Sequence, residues 1–335
     1  DYNLDSLKST TSQAKIYKAP NIFQIIFFIF KLLINKIKWI LKIFKFEKWN
    51  VGFAKVSISE FIEKKGDIDI TWLGEEKKKG NFIADPFVID YQGKNYIFFE
   101  RFDFKKLKAN IGCLNIDTID YIEEINDYSQ YDIMDFKTHL SYPFIFYHDD
   151  RIFMLPENSQ SNSIVLYEAI DFPINWIKTK TLVHNFCGVD STIIQYDNVW
   201  WLFTTSLEGN MYKLYIWYSD NLLSNWIPYP LNPVKYDITS SRSAGNFFII
   251  NENLYRPSQN CSSTYGGKIS INHVKKLTKT EFEESFYCEI TGKGMYSMGL
   301  HTISGNDELT VIDGKRYDFS FKFINYYLKE HLKRA

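Results

Sequence analysis

A hairpin pattern that recurs five times constrains this chain more than any other feature. The first copy runs from Ala84 to Glu100 and consists of an apolar strand, a polar turn and a second strand rich in aromatic residues. The five copies open at Asp85, Tyr142, Asp190, Ala244 and His301. In each copy a polar residue closes the second strand 15 positions after the opener, and these closers are Glu100, Glu157, Thr205, Gln259 and Arg316.

The spacing of the copies predicts one propeller blade per copy. Between one hairpin and the next there is room for two more strands, such as those predicted over 164–169 and 213–218. Four strands in about 50 residues are typical of a propeller blade. The sequence therefore predicts an all-β fold, a five-bladed β-propeller. A β-sandwich is the alternative, but it does not require so regular a hairpin register.

The equivalent hairpin positions predict one polar site. The first strand of each propeller blade lines the central channel, so openers and closers should meet at one mouth of that channel. The predicted catalytic residues are carboxylic acids, namely Asp85, Asp190, Glu157 and Glu100. The predicted substrate-binding residues are His301, Arg242, Arg256, Tyr142, His139, Gln259 and Arg316.

The residue types of this site suit acid and base chemistry on a sugar. Crowded carboxyl groups in a partly dry pocket have their pKa values pushed apart, which leaves one proton acceptor and one proton donor near neutral pH. Aromatic and amide groups fit a sugar, and Arg or His can hold a phosphate or carboxylate of the ligand. The structural alternative is that single ring residues only bridge blades, as an ion pair of Glu157 with Arg256 would.

Residues 22–47 differ sharply in composition from the rest of the chain and predict an amphipathic helix. Ile, Leu, Phe and Trp dominate the segment, its polar residues are mostly lysines that fall on one stripe, and no acid occurs before Glu47. Such a helix is typical of the membrane interface, so residues 22–46 predict contact with a membrane surface. A long helix packed on the propeller is the alternative. The remaining predicted regions are a linker or upstream tail at 1–21, the propeller at 48–324 and a short basic helix at 325–335.

Composition argues against several other classes of function. Lys and Arg total 39 against 40 Asp and Glu, and the formal net charge of −1 argues against a nucleic-acid partner. The four cysteines are far apart and form no CxxC pair, so we expect reduced thiols without a zinc site. Glycine-rich phosphate loops are missing, and no cofactor or metal is expected. Together with the basic helix, this predicts a cytoplasmic protein, peripheral on the inner membrane face.

The first hairpin resembles the first blade of five-bladed glycosidases of the arabinanase and β-xylosidase type. It carries Ala-Asp-Pro-Phe at 84–87, followed by aromatic residues. The resemblance implies that Asp85 is the general base and that Asp190 orients the acid and tunes its pKa. In that family the general-acid Glu commonly opens a blade as Glu-Gly-Pro, whereas this chain reads Ser-Ala-Gly at 243–245.

More blades resemble the propeller domain named after the N-terminal region of plant glucosamine inositolphosphorylceramide transferase. The similar segments are Ala-Asp-Pro-Phe at 84–87, Tyr-Pro at 142–143 with Leu-Pro-Glu at 155–157, Val-Asp-Ser at 189–191, Ser-Ala-Gly at 243–245 with Tyr-Arg-Pro-Ser-Gln at 255–259, and Gly-Leu-His-Thr at 299–302. This resemblance covers about 70–320. It implies a role in the assembly of surface polysaccharides or glycolipids.

We therefore expect a glycan-active enzyme, a glycosyltransferase that takes its sugar from an activated donor. One of the two predicted Asp residues would activate the acceptor hydroxyl. Arg242, Arg256 and His301 would stabilise the departing phosphate. Two alternatives stay open, namely a glycoside hydrolase whose acid is Glu157 or Glu100, and a non-catalytic carbohydrate-binding propeller.

Overall fold

The structure, a computed structural model, describes residues 19–208 and 211–319. The N-terminal elements are helix α1 (Ile22–Ile43), strand β1 (Lys45–Ala54), helix α2 (Ile58–Glu63) and strand β2 (Thr71–Trp72). The strands of the first two hairpin units are β3 (Phe82–Tyr91), β4 (Lys94–Asp103), β5 (Lys108–Asn115), β6 (Asp132–Met134), β7 (Ser141–His148), β8 (Arg151–Glu157), β9 (Ser163–Asp171) and β10 (Asn175–His184). Those of the third to fifth units are β11 (Val189–Tyr196), β12 (Val199–Glu208), β13 (Met211–Ser219), β14 (Ile227–Pro228), β15 (Lys235–Tyr236), β16 (Phe248–Ile250), β17 (Asn253–Asn260), β18 (Lys268–Leu277), β19 (Phe282–Thr291), β20 (Ile303–Gly305) and β21 (Thr310–Phe319).

These strands form five antiparallel sheets, which confirms the predicted five-bladed β-propeller. The first four sheets are β3–β6, β7–β10, β11–β15 and β16–β19, and in the third sheet both β14 and β15 pair with β13. The fifth sheet has the order β2-β1-β21-β20 and so combines strands from the two ends of the propeller sequence. The propeller unit extends from Glu47 to Asp318. The helix predicted over 325–335 lies outside the described residues, as does most of the segment 1–21.

Neighbouring blades cover both faces of each sheet, and this explains why the inner strands are apolar at successive positions. Strand β4 is an example, because successive side chains of a strand point to opposite faces. Ile97 and Phe99 pack into one cluster with Val311, whereas Phe98 packs with Phe153 into another. All five side chains are fully buried. Burying one such side chain stabilises the fold by roughly 1.5–3 kcal/mol.

The hairpin register agrees with the sequence in three blades. Glu100 pairs with the residue before the opener of its hairpin, and Glu157 and Thr205 do the same in the next two blades. A bulge follows each of these pairs. In the fourth blade the backbone N–H of Gln259 donates to the carbonyl oxygen of Arg242 (2.8 Å), so the pairing there is shifted.

Helix α1 belongs to a compact unit separate from the propeller unit. It starts with a capping box, in which the side chains of Asn21 and Gln24 each accept a hydrogen bond from the other residue's backbone N–H (2.9 Å in both cases). Its apolar side chains over 22–33 are exposed, and Phe23 is the most exposed of them at 78%. Within the described ranges, no helix combines the length and the hydropathy that crossing a bilayer requires.

Candidate active site

Three openers have an unusual backbone conformation that directs their side chains. The φ angles of Asp85, Tyr142 and Asp190 are 50°, 45° and 49°, in the left-handed region that non-glycine residues rarely adopt. Each lies in the bulge of its hairpin, and each turns its backbone N–H toward the channel. Carboxylate oxygens accept these N–H groups, namely Asp313 Oδ2 from Asp85 (3.2 Å), Asp85 Oδ2 from Tyr142 (3.2 Å) and Glu157 Oε2 from Asp190 (3.0 Å). The strained openers are therefore tied together by the acidic side chains.

A cavity of about 230 Å³ lies at this mouth of the channel. Seven of the eleven predicted site residues line it, namely Asp85, Glu100, His139, Glu157, Asp190, Arg242 and His301. The rest of the lining consists of Trp49, Phe82, Ala84, Phe102, Ser141 and Tyr265. Residues from distant parts of the sequence thus form one pocket with polar groups and aromatic walls.

Asp190 and Arg242 form the buried ion pair of this pocket. Arg242 Nε donates to Asp190 Oδ2, and Gln259 Nε2 donates to the same oxygen at 3.1 Å. Oδ1 of Asp190 receives no hydrogen bond from the described residues. The guanidinium lies 5.0 Å from the ring centroid of Tyr265, an attractive cation–π arrangement. Although burial alone would lower it, the pKa of Arg242 lies well above its usual value because of the Asp190 carboxylate.

Glu157 carries a carboxyl group whose pKa lies above neutral pH. Burial raises the pKa of its carboxyl group to about 8, and the charge of Asp190 adds to the rise while Arg242 opposes it. A carboxylic acid with this pKa is mostly protonated at pH 7. Glu157 and Asp190 thus occupy one pocket in different environments, since Asp190 has an arginine partner and Glu157 does not.

Glu100 is a second carboxyl group with a raised pKa. Burial is the main cause, and the charge of Asp85, to which Glu100 is hydrogen-bonded, adds to it. His139 faces Glu100, with 3.5 Å between Nε2 and Oε1. Its Nδ1 accepts the backbone N–H of Ala109 (3.2 Å), so the neutral ring carries its proton on Nε2, toward Glu100. The pKa of His139 is lowered, first by burial and then by Lys108.

His301 lies between two carboxylates. Its Nδ1 contacts Asp313 Oδ2, and its Nε2 is 3.5 Å from Asp85 Oδ1, which also accepts a hydrogen bond from Thr302 Oγ1 (2.7 Å). Burial opposes the charged ring, but Asp313 and Asp85 outweigh it and raise the pKa of His301. The ring stacks on Trp49 with centroids 4.0 Å apart.

The same three residues are the group of the described ranges best placed to hold a metal ion. One ligand atom each from Asp85, His301 and Asp313 lie within 4.8 Å of one another. However, both imidazole nitrogens already face carboxylate oxygens, and the raised pKa of His301 favours a bound proton. The donor set therefore fits an imidazolium better than a metal ion.

Four predicted site residues do not line the pocket. Gln259 lies outside the lining, and its Nε2 donates hydrogen bonds to Asp190 Oδ2 and, at 3.0 Å, to the carbonyl oxygen of Ser243. Arg256 pairs with Glu284 through two hydrogen bonds of 2.8 and 2.7 Å. Arg316 forms ion pairs with Glu75 and Asp318. The hydroxyl of Tyr142 lies deeper in the channel, where it contacts Thr192 and Gly245.

Sequence reasoning missed Asp313, Trp49 and Tyr265. Asp313 carried a signal, since it is an acid within the apolar run that starts at Thr310, and buried acids in such runs need partners. It is fully buried and accepts the backbone N–H groups of His301 (2.9 Å) and Thr302 (3.1 Å). Trp49 lies on β1 and Tyr265 on the loop between β17 and β18. Neither residue lies at a repeated hairpin position, so the spacing did not predict their place in the pocket.

The fold and the pocket define a class, the five-bladed β-propellers with a cluster of buried carboxyl groups at one channel mouth. A family model described as glucosamine inositolphosphorylceramide transferase 1, N-terminal, matches residues 67–298, and the chain belongs to this family. This confirms the resemblance predicted from the blade segments.

Named relatives agree with this assignment. Glucosamine inositolphosphorylceramide transferase 1 of Oryza sativa subsp. japonica is 34% identical over 215 residues, which are 61% of this chain and 28% of the relative. The protein of the same name from Arabidopsis thaliana is 30% identical over 254 residues, 70% of this chain and 32% of the relative. The matched part is thus about a third or less of each relative's length.

A solved structure supports the fold. Zg3597, a family 117 glycoside hydrolase from the marine bacterium Zobellia galactanivorans, superposes with a TM-score of 0.51 and 10% sequence identity, covering 83% of this chain and 92% of that one. At this identity the likeness concerns the architecture alone.

Proposed function

We propose that this propeller is the sugar-handling part of a glycosyltransferase that acts in the assembly of a glycolipid or surface polysaccharide. The observation that carries the proposal is the pairing of Glu157, a protonated acid, with Asp190, a carboxylate clamped by Arg242, in one aromatic-walled pocket. The names of the plant relatives support transfer to a glycolipid. Because the matched segment is only 28–32% of the length of those relatives, the proposal concerns the role of this domain in such a reaction.

In the proposed reaction, the groups of the pocket have the following roles. Asp190 Oδ1 takes the proton of the acceptor hydroxyl, whose oxygen then forms the new bond to the anomeric carbon. The bond from that carbon to the donor oxygen breaks, and Glu157 gives its proton to the departing oxygen. Arg242 stabilises negative charge that develops beside it. Arg256 has no part in this scheme, since it is buried against Glu284.

Glycoside hydrolysis is the second candidate, and one observation favours it. The acid missing at 243–245 can be replaced by Glu157, whose pKa of about 8 suits a general acid. In addition, the two cations of the lining, Arg242 and His301, are each already neutralised by carboxylates. A neutral glycoside needs no free cation, whereas a sugar phosphate does.

We also propose that helix α1 attaches the protein to a membrane surface, at the cytoplasmic face of the inner membrane. Its exposed Ile, Leu and Phe side chains support this, together with lysines such as Lys31 and Lys38 and the absence of acidic residues over Ile22–Ile43.

The test is a thermal-shift screen of the wild-type protein against nucleotide sugars and short neutral glycans. Asp190→Asn is the site variant, and Asp67→Asn, at a carboxylate whose side chain is 91% exposed, is the matched control. A transferase responds to nucleotide sugars and a hydrolase to glycans, and in both cases the response is lost in Asp190→Asn alone. If no compound of either class stabilises the wild-type protein, the proposal is wrong.

A further inference from the structure

A second cavity lies on the same channel and shares no residue with the pocket described above. Its volume is about 240 Å³, and its lining comes from β7 of the second blade, β11 and β12 of the third, and the segment that leads into β16 of the fourth. The lining residues are Phe144, Phe146, Tyr147, His148, Ile193, Ile194, Gln195, Trp200, Asn246 and Phe247. On β7 and β11 they follow the bulges, toward the hairpin turns. This rear cavity therefore lies toward the end of the channel away from the acidic pocket.

A hydrogen-bonded partition separates the two cavities. The hydroxyl of Tyr142 accepts the backbone N–H of Gly245 at 2.6 Å and lies 3.0 Å from Thr192 Oγ1. In sequence, each partition residue stands between a residue of the acidic pocket and one of the rear cavity; Tyr142, for example, stands between Ser141 and Phe144. The buried cluster thus lies between the two linings on each of the three strand segments.

The rear cavity has the chemistry of a carbohydrate site. Phe146 and Phe247 are half-buried, so part of each ring remains open, and Trp200 lies 6.0 Å from Phe146 between ring centroids. His148 packs edge-on against Trp200 at 4.8 Å. Aromatic faces of this kind pack against the apolar face of a sugar ring.

Asn246, which lines the rear cavity, carries a hydrogen-bond acceptor that is unpaired within the described ranges. Its Oδ1 atom is buried and has no hydrogen-bond partner among the described residues. Buried acceptors of this kind are normally paired, and Asn246 lines the cavity, so rotation of its side chain would offer this acceptor to a ligand or a water. A sugar hydroxyl donates such a bond, whereas an acyl chain or an aliphatic side chain would leave Oδ1 unpaired.

The charge of the lining restricts the ligand further. Among the described residues, the lining contains no Lys, Arg, Asp or Glu, and the imidazole of His148 is 3.2 Å from the carboxylate of Asp149. A phosphate or a carboxylate would find no free cation here. We propose that the rear cavity is a second carbohydrate-binding site, which holds one neutral hexose residue and is separate from the acidic pocket. This inference does not depend on the proposed transferase activity.

The experiment titrates the wild-type protein with the methyl glycosides of glucose, galactose, mannose and N-acetylglucosamine and follows the imidazole signals by ¹H–¹³C NMR. His148 reports on the rear cavity and His139 on the acidic pocket. We expect at least one probe to shift the His148 signal saturably. Asn246→Leu should weaken that binding about tenfold or more. In Asp67→Asn, the exposed control, it should be unchanged.

Gln195→Ala is a second variant of the cavity, for the case that Asn246→Leu does not fold. Gln195 is exposed on the rim, so its truncation should leave the fold intact and should also weaken binding. Three outcomes overturn the proposal. In the first, no probe shifts His148 at 50 mM, a concentration about fiftyfold above a Kd of 1 mM. In the second, probes shift His139 alone. In the third, folded Asn246→Leu and Gln195→Ala both bind as tightly as the wild-type protein.

Discussion

Arg242 donates its Nε hydrogen bond to Oδ2 of Asp190, and this pair joins the third blade to the segment that leads into the fourth. Both side chains are almost fully buried, at 10% and 3% exposure. Buried charges are stable only with a partner, and the net benefit of such a pair over an apolar contact is small. The pair places a carboxylate and a guanidinium beside Glu157, which is the arrangement that the proposed reaction uses.

Removing one partner should be costly. We expect Arg242→Met to lower the free energy of unfolding by about 3–5 kcal/mol, because Asp190 is left charged and unpaired. The double variant Arg242→Met with Asp190→Asn should regain part of this loss. The measurement is urea denaturation followed by tryptophan fluorescence. Lys279→Met, at the exposed ion pair with Asp220, is the control and should change stability by less than about 1 kcal/mol. Equal losses in Arg242→Met and the control would contradict a structural role of the buried pair.

The raised pKa of Glu157 makes stability depend on pH. Its folded-state value of about 8 lies above the ordinary value of 4.5, so the folded state holds this proton more tightly. The resulting stabilisation is fully present below pH 4.5 and is lost as the pH rises through 8. Glu157→Gln keeps a neutral side chain at every pH. We expect wild-type stability to fall between pH 5 and 8 by about 1–3 kcal/mol more than that of the variant.

Thermal melts at half-unit pH steps measure this difference. Glu308→Gln, at an exposed turn position, is the matched control and should follow the wild-type curve. Parallel curves for wild type and Glu157→Gln would show that Glu157 is ionised in the folded protein at neutral pH.

The pKa values of two histidines of the pocket should be shifted in opposite directions. His301 faces Asp313 and Asp85, so its imidazolium should persist above pH 6.5. His139 has a lowered pKa and should be neutral already below pH 6.5. Imidazole signals in ¹H–¹³C NMR spectra between pH 4.5 and 9 give both midpoints. His301→Gln and His139→Gln assign the signals. A midpoint of His301 below that of His139 would contradict the arrangement of the two carboxylates.

The sequence was sufficient to predict the fold because the repeat is a consequence of the architecture. Each inner hairpin lies in the same surroundings, so apolar residues and polar openers recur at fixed positions, and the blade count followed from their spacing. Five pocket residues followed from the same register, namely Asp85, Glu100, Glu157, Asp190 and His301. His139 and Arg242 lie outside the register and were expected to border the site. The register failed where the backbone differs, as in the fifth blade, where Asp313 rather than Arg316 contacts the pocket residues Asp85 and His301.

Contacts between side chains of separate segments could not be predicted from the sequence. Trp49 lies on β1, which completes the fifth blade, and its stacking on His301 depends on that closure. Arg256 looked equivalent to Arg242, yet it is the partner of Glu284 within its own blade. Two arginines on neighbouring segments have different roles because each is surrounded by different carboxylates, which no spacing rule encodes.

Membrane attachment through α1 should depend on its exposed aromatic residues. We expect the triple variant Phe23→Ser, Phe27→Ser and Phe30→Ser to lose most of its co-sedimentation with vesicles of 30% anionic lipid, since about 2 kcal/mol of apolar burial is lost per ring. The matched control replaces three exposed rings of the propeller by Ser, namely Tyr121, Phe286 and Tyr287. Substitution is preferable to deleting 22–46, because β1 starts at Lys45. Unchanged sedimentation of the α1 variant would contradict the attachment.

The partition at Tyr142 should contribute to stability through its hydroxyl group. Tyr142 is fully buried, and its oxygen is the acceptor for the Gly245 N–H. Tyr142→Phe leaves that N–H buried and unpaired, so we expect a loss of about 1–3 kcal/mol in the free energy of unfolding. Tyr147→Phe is the control, because the Tyr147 hydroxyl donates to the Asp90 carbonyl (2.7 Å) from an exposed position. That variant should lose no more than about 0.5 kcal/mol. Urea denaturation compares the two, and an equal loss in both would mean that the Tyr142 hydroxyl is not a structural partner of the channel backbone.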